Sequence, residues 1–158
     1  MRFPIPAFVI AFVALSLPSL AEETGKPIHK DIATAIAKGD AEDVKRHLEA
    51  DPTCLNPADP KARPPLDLAI LRKQTDIAHL LIELGADPNR ADKSKRTPLH
   101  QAVTRDNPKV ITALLKAKAK PNQLDKTGWT PLHHAAAKNQ LKTTKALLDG
   151  GADPTTLS

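Results

Sequence analysis

Three of the six histidines lie where a metal site is conceivable. His100 and His133 each close a Thr-Pro-Leu-His segment, and His134 follows directly. Adjacent residues on a helix point in different directions, so His133 and His134 would form a poor chelate. A local hydrogen bond within the turn is the better interpretation of His100 and His133. We therefore expect no metal site.

The sequence shows no combination of residues that favours catalysis. No nucleophile stands with a base, no carboxylate pair is evident, and the six glycines form no phosphate-binding loop. Cys54 is the only cysteine, so no intramolecular disulfide can form. We expect Cys54 in a loop, as an incidental thiol rather than a redox group. The chain is not expected to be an enzyme or to bind a cofactor.

The Thr-Pro-Leu-His segments belong to a longer unit that repeats along the chain at a fixed period. Residues 97–100 recur as residues 130–133, and a related copy at residues 65–69 stands one period earlier. A weaker first copy at residues 35–39 lies slightly more than one period before that, because its closing loop carries an extra residue. The chain therefore contains four copies of one unit.

Each copy predicts a pair of helices. Thr97 and Thr130 suit the N-cap position, and the proline after each suits the first helical position. A second helix follows with apolar residues on one face, and Gly85 and Gly151 allow the left-handed turn that ends it. The apolar positions are Ile77, Leu80, Leu81 and Leu84, then Val110, Ile111, Leu114 and Leu115, then Leu147 and Leu148.

With these motifs in register, the chain resembles the ankyrin repeat family, in particular its small exported bacterial members. The resemblance covers residues 27–158 and implies an all-α solenoid of four helix-pair repeats with hairpin loops and a concave binding face. The expected repeats span about residues 27–60, 61–93, 94–126 and 127–158.

Three departures from the family pattern stand out. Pro64 replaces the capping threonine and Asp67 replaces the motif histidine, although Asp67 in the first turn still suits the helix dipole. Lys118 takes the glycine position after a second helix, where a left-handed lysine costs about 1–2 kcal/mol. The terminal repeats are expected to act as caps.

One basic residue occupies the same position in every repeat, three residues after an alanine of the first helix. The resemblance places this position on the concave side, where contact residues of the family vary. Cationic side chains often merely solvate an exposed face, but recurrence in all four repeats favours a surface for an acidic partner. We call this set the basic ladder: Lys38, Arg72, Arg105 and Lys138.

The hairpin loops add further candidates for partner binding: Lys61, Arg63, Lys93, Arg96, Lys126 and Trp129. Trp129 either braces its loop or anchors an interface, and both interpretations stay open. Acidic residues concentrate elsewhere, namely Glu42, Asp43, Asp76 and Glu83 on second helices and Asp59, Asp92 and Asp125 at a loop position that the family uses structurally.

Residues 1–21 have the pattern of a removable signal peptide. Arg2 supplies a positive start, residues 7–17 are apolar, and Ser19 and Ala21 suit cleavage after Ala21. The apolar run is shorter than the roughly 20 residues needed to span a bilayer. We expect a short linker at residues 22–26, a repeat domain at residues 27–158 and no integral membrane segment after cleavage. Losing Arg2 lowers the net charge from +5 to +4.

These features predict a periplasmic or secreted bacterial protein, monomeric, that binds an acidic partner protein. Its role would be that of an inhibitor, an immunity protein or an assembly or protection factor. The alternative is an adaptor for anionic lipid or an acidic polymer at the envelope surface, although only one aromatic residue remains to insert into a membrane. Nucleic acid is disfavoured by the export signal and by the lack of stacking aromatic residues.

Overall fold

A computed structural model describes residues 25–58 and 63–156, so the expected signal peptide lies outside the described residues. The described residues form eight α-helices, one 3₁₀ helix and no strand, which confirms the expected all-α class. The helices are α1 Ile32–Lys38, α2 Ala41–Ala50, α3 Pro65–Leu71, α4 Thr75–Glu83, α5 Pro98–Thr104, α6 Pro108–Lys116, α7 Pro131–Ala137 and α8 Leu141–Asp149, with the 3₁₀ helix at Pro52–Leu55.

The helices pack as pairs in two layers. Each odd-numbered helix contacts the even-numbered helix that follows it. Along the stack, α1, α3, α5 and α7 contact one another in order, and so do α2, α4, α6 and α8. We call the outer side of the first layer the first-helix face and the outer side of the second layer the second-helix face.

The first helices begin as the sequence predicts. Those of repeats two to four start with a proline whose missing N–H costs no helical hydrogen bond: Pro65, Pro98 and Pro131. In repeat four, the Thr130 hydroxyl accepts a hydrogen bond from the His133 N–H at 3.3 Å. Pro64 supplies no such cap to α3, which confirms that departure.

The turn between the two helices of each repeat adopts a left-handed backbone. The four residues at this position have φ between 51° and 78°: Gly39, Lys73, Asp106 and Asn139. Only one of them is glycine, so the glycine pattern in the sequence did not reveal this shared feature. The turn matters because it directly follows each basic-ladder residue and thereby fixes where that residue lies.

A second left-handed position ends the second helices. Gly85 and Gly151 adopt it with φ of 90° and 87°, and Lys118 adopts it with φ of 66°. The strained lysine predicted in repeat three is therefore confirmed. A left-handed non-glycine residue costs about 1–2 kcal/mol, so the surrounding packing must hold this turn in place.

The core between the layers is aliphatic. Its largest fully buried side chains include Ile36, Leu66, Ile70, Leu81, Leu99, Ile111, Leu114 and Leu147. Burying a side chain of this size stabilises the fold by about 1.5–3 kcal/mol. The expected apolar stripes are confirmed, although Leu148 in the last repeat is 44% exposed because no described helix covers it.

Asparagine side chains link the closing loops of successive repeats. Asn56 donates to the carbonyl of Gly85 at 3.0 Å and accepts from the N–H of Asp87 at 2.8 Å. Asn89 does the same one repeat later, with the Lys118 carbonyl at 3.2 Å and the Lys120 N–H at 2.8 Å. The two asparagines are one repeat period apart in the sequence. Their hydrogen bonds show that this repeated position links each closing loop to the next.

One of the acidic residues on the second helix of repeat one, Asp43, does not lie at the surface. Its side chain is fully buried and accepts hydrogen bonds from the N–H groups of Ile28 and His29. Burial alone would raise the pKa of Asp43, but these two N–H donors hold it below its usual value. Asp43 therefore ties the N-terminal segment to α2.

Cys54 lies within the 3₁₀ helix rather than in an irregular loop. Its side chain is half-buried, and the Sγ donates to the carbonyl of Asp51 at 2.9 Å. Burial and the nearby Asp51 carboxylate both raise the pKa of the thiol. The environment therefore disfavours the reactive thiolate.

Candidate binding surface

The basic ladder lies at the C-terminal ends of the first helices. Lys38 is the last residue of α1, and Arg72, Arg105 and Lys138 are the C-cap residues of α3, α5 and α7. Neighbouring packed helices are about 8–10 Å apart. The four cations therefore form a row along one edge of the first-helix face.

None of the ladder cations forms an ion pair with a described residue, unlike several cations elsewhere. Lys45, Arg46, Arg96 and Lys145 each lie within 4.0 Å of a carboxylate on their own helix or loop. Arg105 is half-buried, and its Nε is buried without a hydrogen-bond partner among the described residues. The ladder thus presents four positive charges that these residues leave uncompensated.

Helix electrostatics provide a structural reason for the ladder as well. Positive charge at a helix C-terminus is favoured by the helix dipole by about 0.3–1 kcal/mol. All four cations stand at such an end. Helix stabilisation is therefore a local cause for the recurrence of the ladder, which sequence spacing alone did not reveal. Any binding test must separate the effect of the ladder on helix stability from its effect on partner binding.

The first-helix face beside the ladder carries no charge. The residue before each ladder cation is short or apolar and is at least partly exposed: Ala37, Leu71, Thr104 and Ala137. A partner element can therefore approach the helix backbones closely along this strip. The ladder borders the strip on one side.

The loop candidates lie at the other end of the first helices. Arg63, Lys93 and Lys126 are exposed, whereas Lys61 falls outside the described residues. A helix of seven residues is about 10 Å long, so the ladder lies about this far from the helix N-termini that follow the loops. The predicted site residues therefore form two basic rows rather than one patch.

Arg96 is held by its own loop. Its Nε and Nη2 donate to Asp92 Oδ2 at 3.1 and 3.0 Å, while Asp92 Oδ1 accepts from the N–H groups of Ser94 and Arg96. Burial raises the pKa of Asp92, but these donors lower it overall. Arg96 thus stabilises the loop, and its charge is largely neutralised.

Trp129 is both a loop brace and a partly open aromatic surface. Its N–H donates to Asp125 Oδ1 at 3.2 Å, and its carbonyl accepts from the Asp125 N–H at 3.0 Å. The indole lies 5.1 Å from the His134 ring and is 37% exposed. The backbone of Trp129 therefore braces the loop, while its indole leaves an aromatic surface that a partner could contact.

Asp125 organises the last loop. Its Oδ1 accepts from the N–H and hydroxyl of Thr127, and its Oδ2 lies 2.8 Å from His134 Nε2. Burial opposes the charged form, but these contacts hold the pKa of Asp125 well below its usual range. The structural role expected for Asp92 and Asp125 is confirmed; Asp59 lies outside the described residues.

The repeat geometry agrees with a comparison against known families. A family model described as ankyrin repeats (3 copies) matches residues 32–125 and 66–157, which together cover most of the chain. The chain belongs to the ankyrin repeat family. No curated protein matches the chain closely enough to count as a relative.

Ankyrin repeats generally mediate protein–protein interaction, and the family is typically a non-enzymatic binding module. Membership therefore supports a protein partner for this ankyrin repeat protein without naming one. Among the described residues, no helix is long and apolar enough to cross a membrane, and no group of three His, Cys, Asp or Glu side chains could hold a metal ion.

The motif histidines make the local hydrogen bonds expected of them. His100 Nδ1 accepts from the Thr97 N–H at 3.2 Å, so the neutral ring carries its proton on Nε2. That Nε2 lies 3.2 Å from the Trp129 carbonyl in the next repeat. Burial lowers the pKa of His100, which keeps the ring neutral. This histidine joins two repeats of the ankyrin stack.

Proposed function

We propose that this ankyrin repeat protein is an exported binding module that recognises an acidic protein through its first-helix face. The observation that carries the proposal is the basic ladder, four cations in one row with no ion pair to a described residue. A partner carrying carboxylates along one element would compensate this row. Opposite charge would mainly accelerate and select the encounter, while the uncharged strip supplies close contact.

The biological role that fits is an inhibitor, an immunity protein or an assembly or protection factor for another exported protein. In each case, one chain engages one acidic partner surface. The signal-peptide pattern at residues 1–21 supports an encounter in the periplasm or outside the cell. Sequencing the N-terminus of the protein recovered from the exported fraction tests this part, and a mature chain beginning at Glu22 is expected.

The binding proposal is tested by capture from an exported fraction with a charge-reversed variant. Arg72→Glu together with Arg105→Glu inverts the middle of the ladder, and we expect partner affinity to fall at least about tenfold, or about 1.4 kcal/mol. Wild-type capture should also weaken as salt rises, because the Debye length shrinks from about 10 Å at 0.1 M to about 3 Å at 1 M.

The matched control is Lys109→Glu with Lys116→Glu, which makes the same change in net charge on the second-helix face of repeat three. Helix content by circular dichroism checks that both variants fold, since ladder reversal also opposes the helix dipoles. Equal capture by the ladder variant and the wild type contradicts the proposal. Retention by anionic vesicles without any acidic protein would instead support the lipid adaptor.

A further inference from the structure

The second-helix face shows a reversal of charge along the stack. Two positions seven residues apart lie on the same side of each second helix, two turns from one another. In repeats one and two, all four such positions carry exposed carboxylates: Glu42 and Glu49 on α2, and Asp76 and Glu83 on α4. The same positions in repeats three and four carry Lys109 and Lys116 on α6, and Lys142 and Asp149 on α8.

Internal ion pairs leave equal and opposite charges on the two halves. Lys45 pairs with Glu42 at 2.7 Å, and Lys145 pairs with Asp149 at 2.9 Å. The remaining side chains form no ion pair with a described residue. They are the acidic set Glu49, Asp76 and Glu83, and the basic set Lys109, Lys116 and Lys142.

Local helix electrostatics do not explain these charges, in contrast to the basic ladder. Glu49 and Glu83 stand in the last turns of α2 and α4, where the helix dipole disfavours negative charge. Lys109 and Lys142 stand in the first turns of α6 and α8, where it disfavours positive charge. Four of the six charges therefore oppose their own helices, which points to a use outside the folded chain.

The basic half also has a groove into which another chain can settle. It runs between α6 and α8, with Leu115 and Ala146 among its lining residues and Lys116 and Lys142 at its sides. No element among the described residues covers this groove. Apolar contact there would add to the charge attraction.

We infer that two copies of this chain pair through their second-helix faces in antiparallel orientation. A two-fold axis between repeats two and three brings the acidic set of each copy against the basic set of the other. The same acidic–basic contact therefore forms twice in the dimer. A parallel arrangement would place like charges together. The occupant is a second copy because one surface contains both halves of the complement in equal number.

The paired arrangement leaves both first-helix faces directed away from the interface, so it is compatible with the proposed partner binding and does not depend on it. Exposed ion pairs are individually weak and screened by salt. Association should therefore rise with protein concentration and fall with ionic strength. The monomer expected from the sequence is then the form present when the protein is dilute or the salt is high.

Sedimentation equilibrium of the purified protein tests the pairing, at about 0.01 M and about 1 M salt, where the Debye length is about 30 Å and 3 Å. We expect a monomer–dimer equilibrium at low salt that weakens at least about tenfold at high salt. A protein that stays monomeric at low salt and high concentration overturns the inference. Open-ended oligomers beyond the dimer overturn the two-fold geometry.

Charge-swap variants separate the specific pairing from general charge effects. Lys109→Glu with Lys116→Glu makes the face largely acidic, and Glu49→Lys with Glu83→Lys makes it largely basic; each variant alone should lose at least about tenfold in self-affinity. An equimolar mixture of the two should associate again, because each half then meets its opposite. Failure of the mixture to associate, with both variants folded, overturns the inference.

The ladder variant Arg72→Glu with Arg105→Glu serves as the matched control. It changes the net charge as much as the lysine reversals do, but on the first-helix face. Its self-association should equal that of the wild type. An equal loss in this variant would show that net charge alone governs association and would overturn the antiparallel interface.

Discussion

The junction between repeats two and three and the junction between repeats three and four use the same position differently. At the later junction, His100 accepts from Thr97 and faces the Trp129 carbonyl of the next repeat. At the earlier junction, Asp67 occupies that position with 4% exposure, and its Oδ1 has no hydrogen-bond partner among the described residues. The histidine at the later junction has a neighbour for each ring nitrogen, whereas the carboxylate at the earlier junction leaves one oxygen without a partner among the described residues.

The difference shows why the motif favours histidine. A neutral imidazole both accepts and donates, so it can cap its own helix and bind the next repeat. An ionised carboxylate can only accept, and the neighbouring Gln101 Oε1 is another buried acceptor without a partner among the described residues. Asp67 lies in the first turn of α3, where the helix dipole favours it as expected, but its side chain is also buried.

The largest predicted effect comes from placing aspartate, the residue of the earlier junction, at the histidine position of the later junction. His100→Asp should lower the free energy of unfolding by about 4 kcal/mol at neutral pH, because it leaves an uncompensated buried charge facing a carbonyl. Chemical denaturation measures this. His133→Asp is the matched control: His133 binds Thr130 in the same way but has no hydrogen bond to another repeat among the described residues, so its loss should be about 1 kcal/mol. Equal losses would contradict the cross-repeat role.

Removing the charge at the earlier junction should stabilise it in a pH-dependent way. Burial is the main cause that raises the pKa of Asp67 to about 6, with Asp92 adding repulsion and with Gln101, Arg63 and Arg90 opposing it. Because the folded pKa exceeds the unfolded value, the stability linked to this proton is complete below the unfolded pKa and is lost as pH rises through 6. About 2 pKa units correspond to about 3 kcal/mol.

Asp67→Asn should therefore unfold at higher denaturant concentration than the wild type near pH 7, with an advantage of up to about 3 kcal/mol that disappears near pH 4. Unfolding curves of both proteins across this range measure the difference. Carboxylates with lowered pKa values, such as Asp125, change stability in the opposite direction, and they cancel in the comparison. A constant difference at every pH would show that Asp67 does not titrate as described.

The asparagine links should contribute less to the free energy of unfolding than His100 and Asp67 do. Of the two links, the one at the earlier junction should contribute more. Asn89 makes two hydrogen bonds to the next closing loop, whereas Asn122 makes one, from the Asp153 N–H at 2.9 Å. At about 1 kcal/mol per bond, Asn89→Ala should cost about 2 kcal/mol and Asn122→Ala about 1 kcal/mol. Thermal or chemical unfolding measures both. A larger cost for Asn122→Ala would reverse the order proposed for the two junctions.

The smallest effect concerns the left-handed turn of repeat three. Lys118→Gly should raise the free energy of unfolding by about 1 kcal/mol, because glycine adopts positive φ without strain, although it also frees the unfolded chain. Gly85→Ala is the control: an added Cβ there meets no atom within 4 Å, so only backbone strain acts and stability should fall by a similar amount. A neutral Lys118→Gly would show that the turn is not strained.

The local elements were predictable because their causes are local. Proline at the first helical position, apolar spacing and glycine at positive φ act within one repeat, and each signal returns in the next copy of the unit. The left-handed turns at Lys73, Asp106 and Asn139 escaped prediction for two reasons. Lysine rarely adopts positive φ, and asparagine and aspartate, which tolerate it, are also common in other loop and cap conformations. Arg96 appeared free because its partner Asp92 is identified only by the loop geometry.

The sequence by itself determined the repeat, its helix pairs and the basic residue that recurs in each, because periodic side chains and helix-terminal residues act over a few positions. Only the tertiary structure decided which polar atoms find partners across repeats and which charges remain uncompensated. Asp43 and Asp67 are both acidic in the sequence, yet one meets two N–H donors and the other retains an oxygen without a partner among the described residues. That outcome depends on neighbours brought together by stacking, which spacing along the chain does not encode.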